Sequence, residues 1–257
     1  MNDRYSFPRH ARFSVIIVLL SILACQTSTF LPTATPYPTL TPYPTYTPYP
    51  THTPYPTFTA LPLPAELFFE DFNGSTSCFT PYSDSVSNAQ MSKGLFFLNV
   101  LKKNTIVGST CENTTLGDFV LDVDVTTQKE ANGSYYYGVS FRETGGQAYE
   151  FLIGLDKESP SFCLFYYDKT SFINLSNSLI DPESCWQNFS TKIYNNQMNT
   201  LRVIATGELL ELYLNNEILF ATRDSYLAAG KIGFIAGTYD NQDTIEIGFD
   251  NIRVTEP

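Results

Sequence analysis

The clearest pattern in the chain is a set of short runs in which apolar side chains recur at every second position. Phe119-Val-Leu-Asp-Val-Asp-Val125 sets Phe119, Leu121, Val123 and Val125 on one face and Asp122 and Asp124 on the other. That period marks a half-buried strand, because successive side chains of an extended chain point to opposite sides. Alternating or continuous apolar runs also occupy 66–72, 94–101, 134–142, 148–155 and 161–168. Four more follow in close succession at 199–207, 209–216, 230–237 and 244–254. Most of the runs end in Gly, Asn or Asp, as at Asn73-Gly74, Gly145-Gly146 and Gly207, where tight turns are expected. These connections leave no room for crossover helices, and no segment keeps a 3.6-residue period. The expectation is an antiparallel, all-β unit. Residues 172–197 read as loop with one short strand.

The first quarter of the chain follows other rules. Arg4, Arg9 and Arg12 precede an apolar stretch of about 12 residues that ends in Ser21-Ile-Leu-Ala-Cys25. A membrane span needs ~20 residues, so the stretch fits the core of an export signal. Its end resembles the lipobox of bacterial lipoproteins. Ala24 is the small residue before the cut and Cys25 the thiol that takes the lipid, although Leu23 stands where a smaller residue is usual. The alternative is an ordinary signal peptide with an incidental cysteine. Four Thr-Pro-Tyr-Pro-Thr-x units then start at Thr35, Thr41, Thr47 and Thr53, and eleven prolines fall between Pro32 and Pro64. Proline fixes φ and removes a donor, so an unfolded, polyproline-type spacer is expected. At ~3.1 Å per residue it would span roughly 100 Å. The organisation expected is a leader over 1–25, a disordered linker over 26–65 and a domain over 66–257. The domain would be held outside the cytoplasm on a bacterial membrane by lipidated Cys25.

Charge and cysteines narrow the picture. The net charge is -11, and from Glu66 onward 12 Lys and Arg face 25 Asp and Glu. A surface so acidic repels phosphate backbones, so nucleic acid is not an expected partner. The domain holds Cys78, Cys111, Cys163 and Cys185. An even number in an exported domain points to two disulfides. Three pairings are open; Cys78–Cys111 and Cys163–Cys185 are favoured because each pair sits near turns between neighbouring strands. Four free thiols are the alternative. A zinc site is disfavoured, because Cys-x-x-Cys is lacking and the two histidines, His10 and His52, precede the domain. No cofactor is expected.

Several runs together resemble a known group. Tyr137-Gly-Val-Ser-Phe-Arg142, Tyr149-Glu-Phe151, Asn199-Thr-Leu-Arg-Val203, Leu212-Tyr-Leu-Asn215, Gly230-Lys-Ile-Gly-Phe234 and Phe249-Asp-Asn-Ile-Arg-Val254 are similar to concanavalin A-like jelly rolls. The nearest likeness is to the laminin-G-like or keto-disaccharide-hydrolase-like domains of bacterial surface lipoproteins. The resemblance implies two packed antiparallel sheets and a face able to hold a glycan. Retaining glycosidases of this fold carry Glu-x-Asp-x-x-Glu on one strand. Here Asp122 and Asp124 offer no glutamate pair, and Glu208 and Glu211 are placed at a turn. No catalytic residue is therefore assigned, and the domain has no histidine for a triad.

Binding is the sharper expectation. Alternation along 134–142 turns Tyr135, Tyr137, Val139 and Phe141 inward and Tyr136, Gly138, Ser140 and Arg142 outward. Glu150 and Leu152 share the outward side of the next strand, so Arg142 and Glu150 are expected as cross-strand neighbours. Tyr136, Arg142, Glu150 and Trp186 are the candidate ligand residues, with a salt bridge and core packing as the plainer alternative. Asp250-Asn251 suits a turn better than a calcium site. The functions in view are a surface-anchored carbohydrate or envelope-component binder, a glycoside-active enzyme, and a structural or adhesive contact module.

Overall fold

The computed structural model describes residues 63–74, 77–127, 133–156, 159–176, 184–194, 196–242 and 244–257. The expected leader, Cys25 and the Thr-Pro-Tyr-Pro repeats lie outside these residues. Among the described residues there are sixteen strands and no helix. They run β1 (Glu66–Glu70), β2 (Tyr82–Ser83), β3 (Ser87–Ser92), β4 (Leu95–Val100), β5 (Thr105–Thr110), β6 (Phe119–Thr127), β7 (Tyr135–Thr144) and β8 (Gln147–Leu155). After these come β9 (Ser161–Tyr167), β10 (Phe172–Asn174), β11 (Gln187–Asn188), β12 (Asn199–Thr206), β13 (Leu209–Leu214), β14 (Glu217–Arg223), β15 (Lys231–Thr238) and β16 (Ile245–Thr255).

Two antiparallel sheets result. The first is ordered β14-β13-β12-β6-β16-β4-β3-β2, and β1 takes the edge of β16 past the end of β4. The second is ordered β10-β9-β8-β7-β15-β5, with β11 sharing the edge of β9 with β10. The chain moves between the sheets repeatedly, so strands distant in sequence lie side by side. The expected all-β architecture is what forms.

The core lies between the sheets and follows the alternation. Leu121, Val123 and Val125 of β6 meet Leu201 and Val203 of β12 within one sheet, while Tyr137, Val139 and Phe141 of β7 and Tyr149, Phe151 and Ile153 of β8 come from the other. An aromatic stack bridges the layers: the rings of Phe79 and Phe234 are 4.5 Å apart and those of Phe234 and Phe249 are 4.0 Å apart. Each buried ring contributes on the order of 1.5–3 kcal/mol by leaving water.

Cys78 bonds Cys111, 33 residues on, and Cys163 bonds Cys185, 22 residues on. Closing loops of this size stabilises the fold by roughly 3–4 kcal/mol each in a chain-entropy account. Two disulfides mark a chain that folds in an oxidising, extracytoplasmic setting.

The strands β3, β5 and β14 depart from the sequence expectation, which placed no strand at these positions. Ser-Asn-Ala-Gln-Met-Ser in β3 has no run of large apolar residues to announce it. Two short strands, β10 and β11, replace the single one expected in 172–197. Glu211 stands within β13 rather than on the turn.

Candidate functional site

The outward face of the second sheet is the unusual surface of the molecule. Its side chains fall into cross-strand rows. Thr110, Gly233, Ser140, Glu150 and Phe165 make one row, and Gly108, Ile235, Gly138, Leu152 and Cys163 make the next. The third row is Ile106, Gly237, Tyr136, Gly154 and Ser161. Leu152, Cys163, Phe165 and Ile235 are buried there in a small apolar cluster on the far side of the sheet from the main core, with Tyr136, Cys185 and Trp186 packed on it.

Two of the candidate residues, Tyr136 and Trp186, come together here. Their ring centroids are 6.0 Å apart, and Tyr239 stands 5.3 Å from Tyr136 and 6.5 Å from Trp186. Glycines set the height of the rings. A Cβ on Gly237 would lie 2.1 Å from Tyr136 Cζ, and one on Gly154 would lie 2.7 Å from Trp186 Cζ3. The rings therefore rest directly on the backbone of the sheet. The Cys163–Cys185 bond pins the segment that brings Trp186 to this position. Burial, then the nearby Tyr239 and Glu150 charges, raises the pKa of the Tyr136 phenol, and burial pushes Tyr239 up to about 12. Both stay hydrogen-bond donors at neutral pH. Beside the rings lies a hollow of about 380 Å³ edged by Ser134, Asp156, Ser161, Asn188, Trp186 and Tyr239.

The expected Arg142–Glu150 pair does not form. A β-bulge lies between Phe141 and Thr144, and Arg142 takes a left-handed φ of 51°. One extra residue in a strand shifts the alternation, so Phe141 and Arg142 both point inward. Arg142 is 1 % exposed. Its Nε donates to Gly117 O at 3.1 Å, Nη1 to Gly207 O and Leu227 O at 2.8 and 3.1 Å, and Nη2 to Asp118 Oδ1 at 3.2 Å. Arg142 is thus a clamp on three loops and does not reach the outward face.

The same bulge turns Glu143 outward, beside Glu150. Both line a hollow of about 200 Å³ with Thr110, Ser140, Tyr167 and Ile235. Thr110 Oγ1 donates to Glu143 Oε2 at 2.8 Å. Glu150 Oε2 is buried and accepts no hydrogen bond from the described residues. Burial first, and the Glu143 charge second, raises the Glu150 carboxyl to about 7. Two carboxyls now share one face, which no single strand of the sequence displays. Glu143 and Tyr239 were not among the residues expected here.

Other surfaces offer less. A hollow of about 810 Å³ lies on the first sheet beside Tyr82, Asn88, Gln90, Asn99 and Glu246. It has one ring, and two of its amides pair, Asn99 Nδ2 donating to Asn88 Oδ1 at 2.8 Å. At Asp250-Asn251, Asn251 N donates to Asp250 Oδ1 at 2.7 Å and Asn251 Nδ2 to Asp124 Oδ2 at 3.1 Å, the bonds of a bulged turn. Among the described residues no three His, Cys, Asp or Glu side chains converge as a metal site.

No protein-family model and no curated protein matches the chain. Solved structures do. A β-1,3-1,4-glucanase (lichenase) derived from a mouse hindgut metagenome superposes with a TM-score of 0.53 at 12 % identity, over 75 % of this chain and 100 % of its own. The CBM2 module of the evolved Dit of Lactobacillus casei BL23 phage J-1 gives 0.51 at 11 %, over 74 % and 94 %. A structure concerned with endo-acting O-glycanases of the human gut microbiota gives 0.50 at 14 %, over 74 % and 98 %. The fold is a concanavalin A-like jelly roll. In this jelly roll the long edge-to-edge β16, paired with β6 on one side and with β4 and β1 on the other, ties the first sheet together. The rings and carboxyls described above sit on the second sheet.

Proposed function

We propose that the chain presents a carbohydrate-binding face on the outward side of the second sheet, carried on a lipid anchor. One observation supports this above the rest: the cluster of Tyr136, Trp186 and Tyr239 lying on a glycine floor and edged by hydroxyl, amide and carboxylate groups. Sugars bind to such places because their C–H faces stack on aromatic rings while their hydroxyls meet polar neighbours. The structures that share this fold include one named for a glucanase and one named as a carbohydrate-binding module, which agrees with the reading. A glycan array probed with the full chain tests it. Binding that drops at least tenfold in Trp186→Ala supports it; no glycan bound above background favours a protein-contact module instead.

The anchor belongs to the same proposal. Acylated Cys25 would hold the protein on the outer side of a bacterial membrane, and the Thr-Pro-Tyr-Pro segment would carry the jelly roll away from it. Mass spectrometry of the mature N-terminal peptide should show diacylglycerol on Cys25, and Cys25→Ser should release the protein from membranes. A mature chain cut elsewhere and unmodified overturns the anchor.

A second reading, glycoside hydrolysis, is favoured by Glu143 and Glu150 together. A carboxyl kept protonated near neutrality beside an accepting carboxylate has the form of an acid–base pair. Release of reducing sugar from any bound glycan, lost in Glu150→Gln, would establish it.

A further inference from the structure

The hollow between Glu143 and Glu150 is incomplete as it stands. Glu150 keeps 8 % of its surface exposed, and its Oε2 is the one buried side-chain polar atom lacking a partner among the described residues. A buried carboxyl with no donor is costly, and a second carboxyl next to it adds repulsion. Among the described residues no Lys or Arg lines the hollow. The cations near it are engaged or at its rim: the Lys231 ammonium pairs with Glu112, and the Lys169 stem runs past Gly146. What the site lacks is a compact positive donor.

The size and setting of the hollow narrow the choice. Two carboxyls alone make a weak hold on a metal, which would have to keep most of its waters, and among the described residues no third acidic or histidine ligand joins them. An ammonium carries three N–H donors on a small cation, which matches two carboxyls in about 200 Å³. The hollow also lies on the same face as the aromatic cluster. From Ser140, beside Glu150, to Tyr136 is four residues of β7, roughly 13 Å at ~3.3 Å per residue. A single sugar does not reach both places, whereas a short oligosaccharide does.

We infer that the Glu143–Glu150 hollow binds the free ammonium of an amino sugar, as one subsite of an oligosaccharide that runs along the face toward Tyr136 and Trp186. This rests on the carbohydrate reading above and gives it a substrate class: amino sugars whose nitrogen is not acetylated. Acetylation removes the positive charge and adds bulk, so N-acetylated chains lose this subsite. Thr110 and Ser140 stand at its wall to hydrogen-bond the neighbouring hydroxyls.

The test is calorimetry on the full chain with three β-1,4-linked trisaccharides: glucosamine, N-acetylglucosamine and glucose. The glucosamine trimer should bind at least tenfold more tightly than the other two. Glu150→Gln should bring it down to their level, Glu143→Gln should weaken it by a smaller factor, and Trp186→Ala should weaken all three alike. Far-ultraviolet circular dichroism establishes that each variant is folded. The preference should also grow as pH rises from 5 to 7, as Glu150 ionises, with proton release on binding. The other described groups bearing on Glu150 are Glu143 and the Tyr136 phenol on β7, Tyr167 on β9, Lys169 in the turn beyond it, and Lys231 with Glu112 beside β15. Equal binding of the three trimers, or a preference that survives Glu150→Gln, overturns the amino-sugar inference and leaves the carbohydrate face standing. Failure of all three to bind overturns the inference, and if the glycan array is also blank the carbohydrate reading goes with it.

Discussion

The outward sides of the two sheets differ in kind. On the first sheet, β6 alternates cleanly, and its outward polar groups pair across strands: Asp122 takes both Nε and Nη2 of Arg202 at 2.6 and 3.1 Å, and Asp124 accepts from Thr200 Oγ1 at 2.6 Å. On the second sheet, all seven residues of β8 from Ala148 to Gly154 are buried, on both faces. The outer side there is roofed by rings and a disulfide, and it leaves a carboxyl oxygen without a donor. A solvent-facing sheet whose polar groups satisfy one another needs nothing further. A sheet with a second apolar layer and a carboxyl oxygen without a donor among the described residues is the face on which the proposed binding rests.

Four measurements would break or sharpen this contrast. The largest effect is expected just inside the second sheet. Arg142→Ala leaves the Gly117, Gly207 and Leu227 carbonyls and Asp118 without their shared donor, and should destabilise the fold by about 3–5 kcal/mol in chemical denaturation. A loss under 1 kcal/mol would show that the clamp is dispensable.

Next is the pH dependence of Glu150. Its folded pKa, about 7, lies above the ordinary carboxylate value of 4.5. The native state therefore holds a proton that the unfolded chain gives up. The stability this proton supports is fully present below about pH 4.5 and is lost as pH rises through about 7. That amounts to roughly 3 kcal/mol. Glu150→Gln should flatten the profile between pH 5 and 8; an unchanged slope would locate the linkage elsewhere. Asp168, held down to about 2 by hydrogen bonds from Thr170 and Ser171, acts with the opposite sign and only in acid, below this window.

Trp186→Ala should cost about 1.4 kcal/mol or more of glycan binding, a tenfold loss, with a smaller change in unfolding midpoint than Arg142→Ala. A pure stability defect with intact binding would remove the aromatic cluster from the site. The smallest effect belongs to the first sheet: Arg202→Ala breaks a half-exposed pair and should cost about 0.5–1 kcal/mol, with no effect on binding.

Much of this was legible in the sequence. The runs behind β6, β7, β8 and β12 marked the strands, and the alternation in β6, β7 and β8 sorted their side chains between the two faces, Arg142 excepted. The Gly145-Gly146 turn marked the β7–β8 hairpin, and the place of each cysteine pair near turns between neighbouring strands favoured the two bonds that form. The site was only partly legible, because one residue changed its register. Ser140-Phe-Arg-Glu-Thr144 carries no glycine to mark a bulge, so period 2 was carried through it and assigned Arg142 to the wrong side. That error hid Glu143 as well. A search for paired carboxyls along one strand misses a pair built across a hairpin. Tyr239 joins the rings from beyond β15, at a distance from Tyr136 and Trp186 that only the sheet order brings together. The strand β3 escaped notice because it carries few large apolar residues, whereas β14 holds Ile218-Leu-Phe220 and was passed over although it forms the edge of the first sheet.

The glycines beneath the rings have one more consequence. At Gly154 and Gly237 the backbone itself is the floor, so the groove has a depth that a single methyl would alter. Alanine at either position would lift a ring away from the sheet while leaving the core between the sheets untouched. Under the proposed reading, a change at either residue would alter what the surface accepts while leaving the core between the sheets in place.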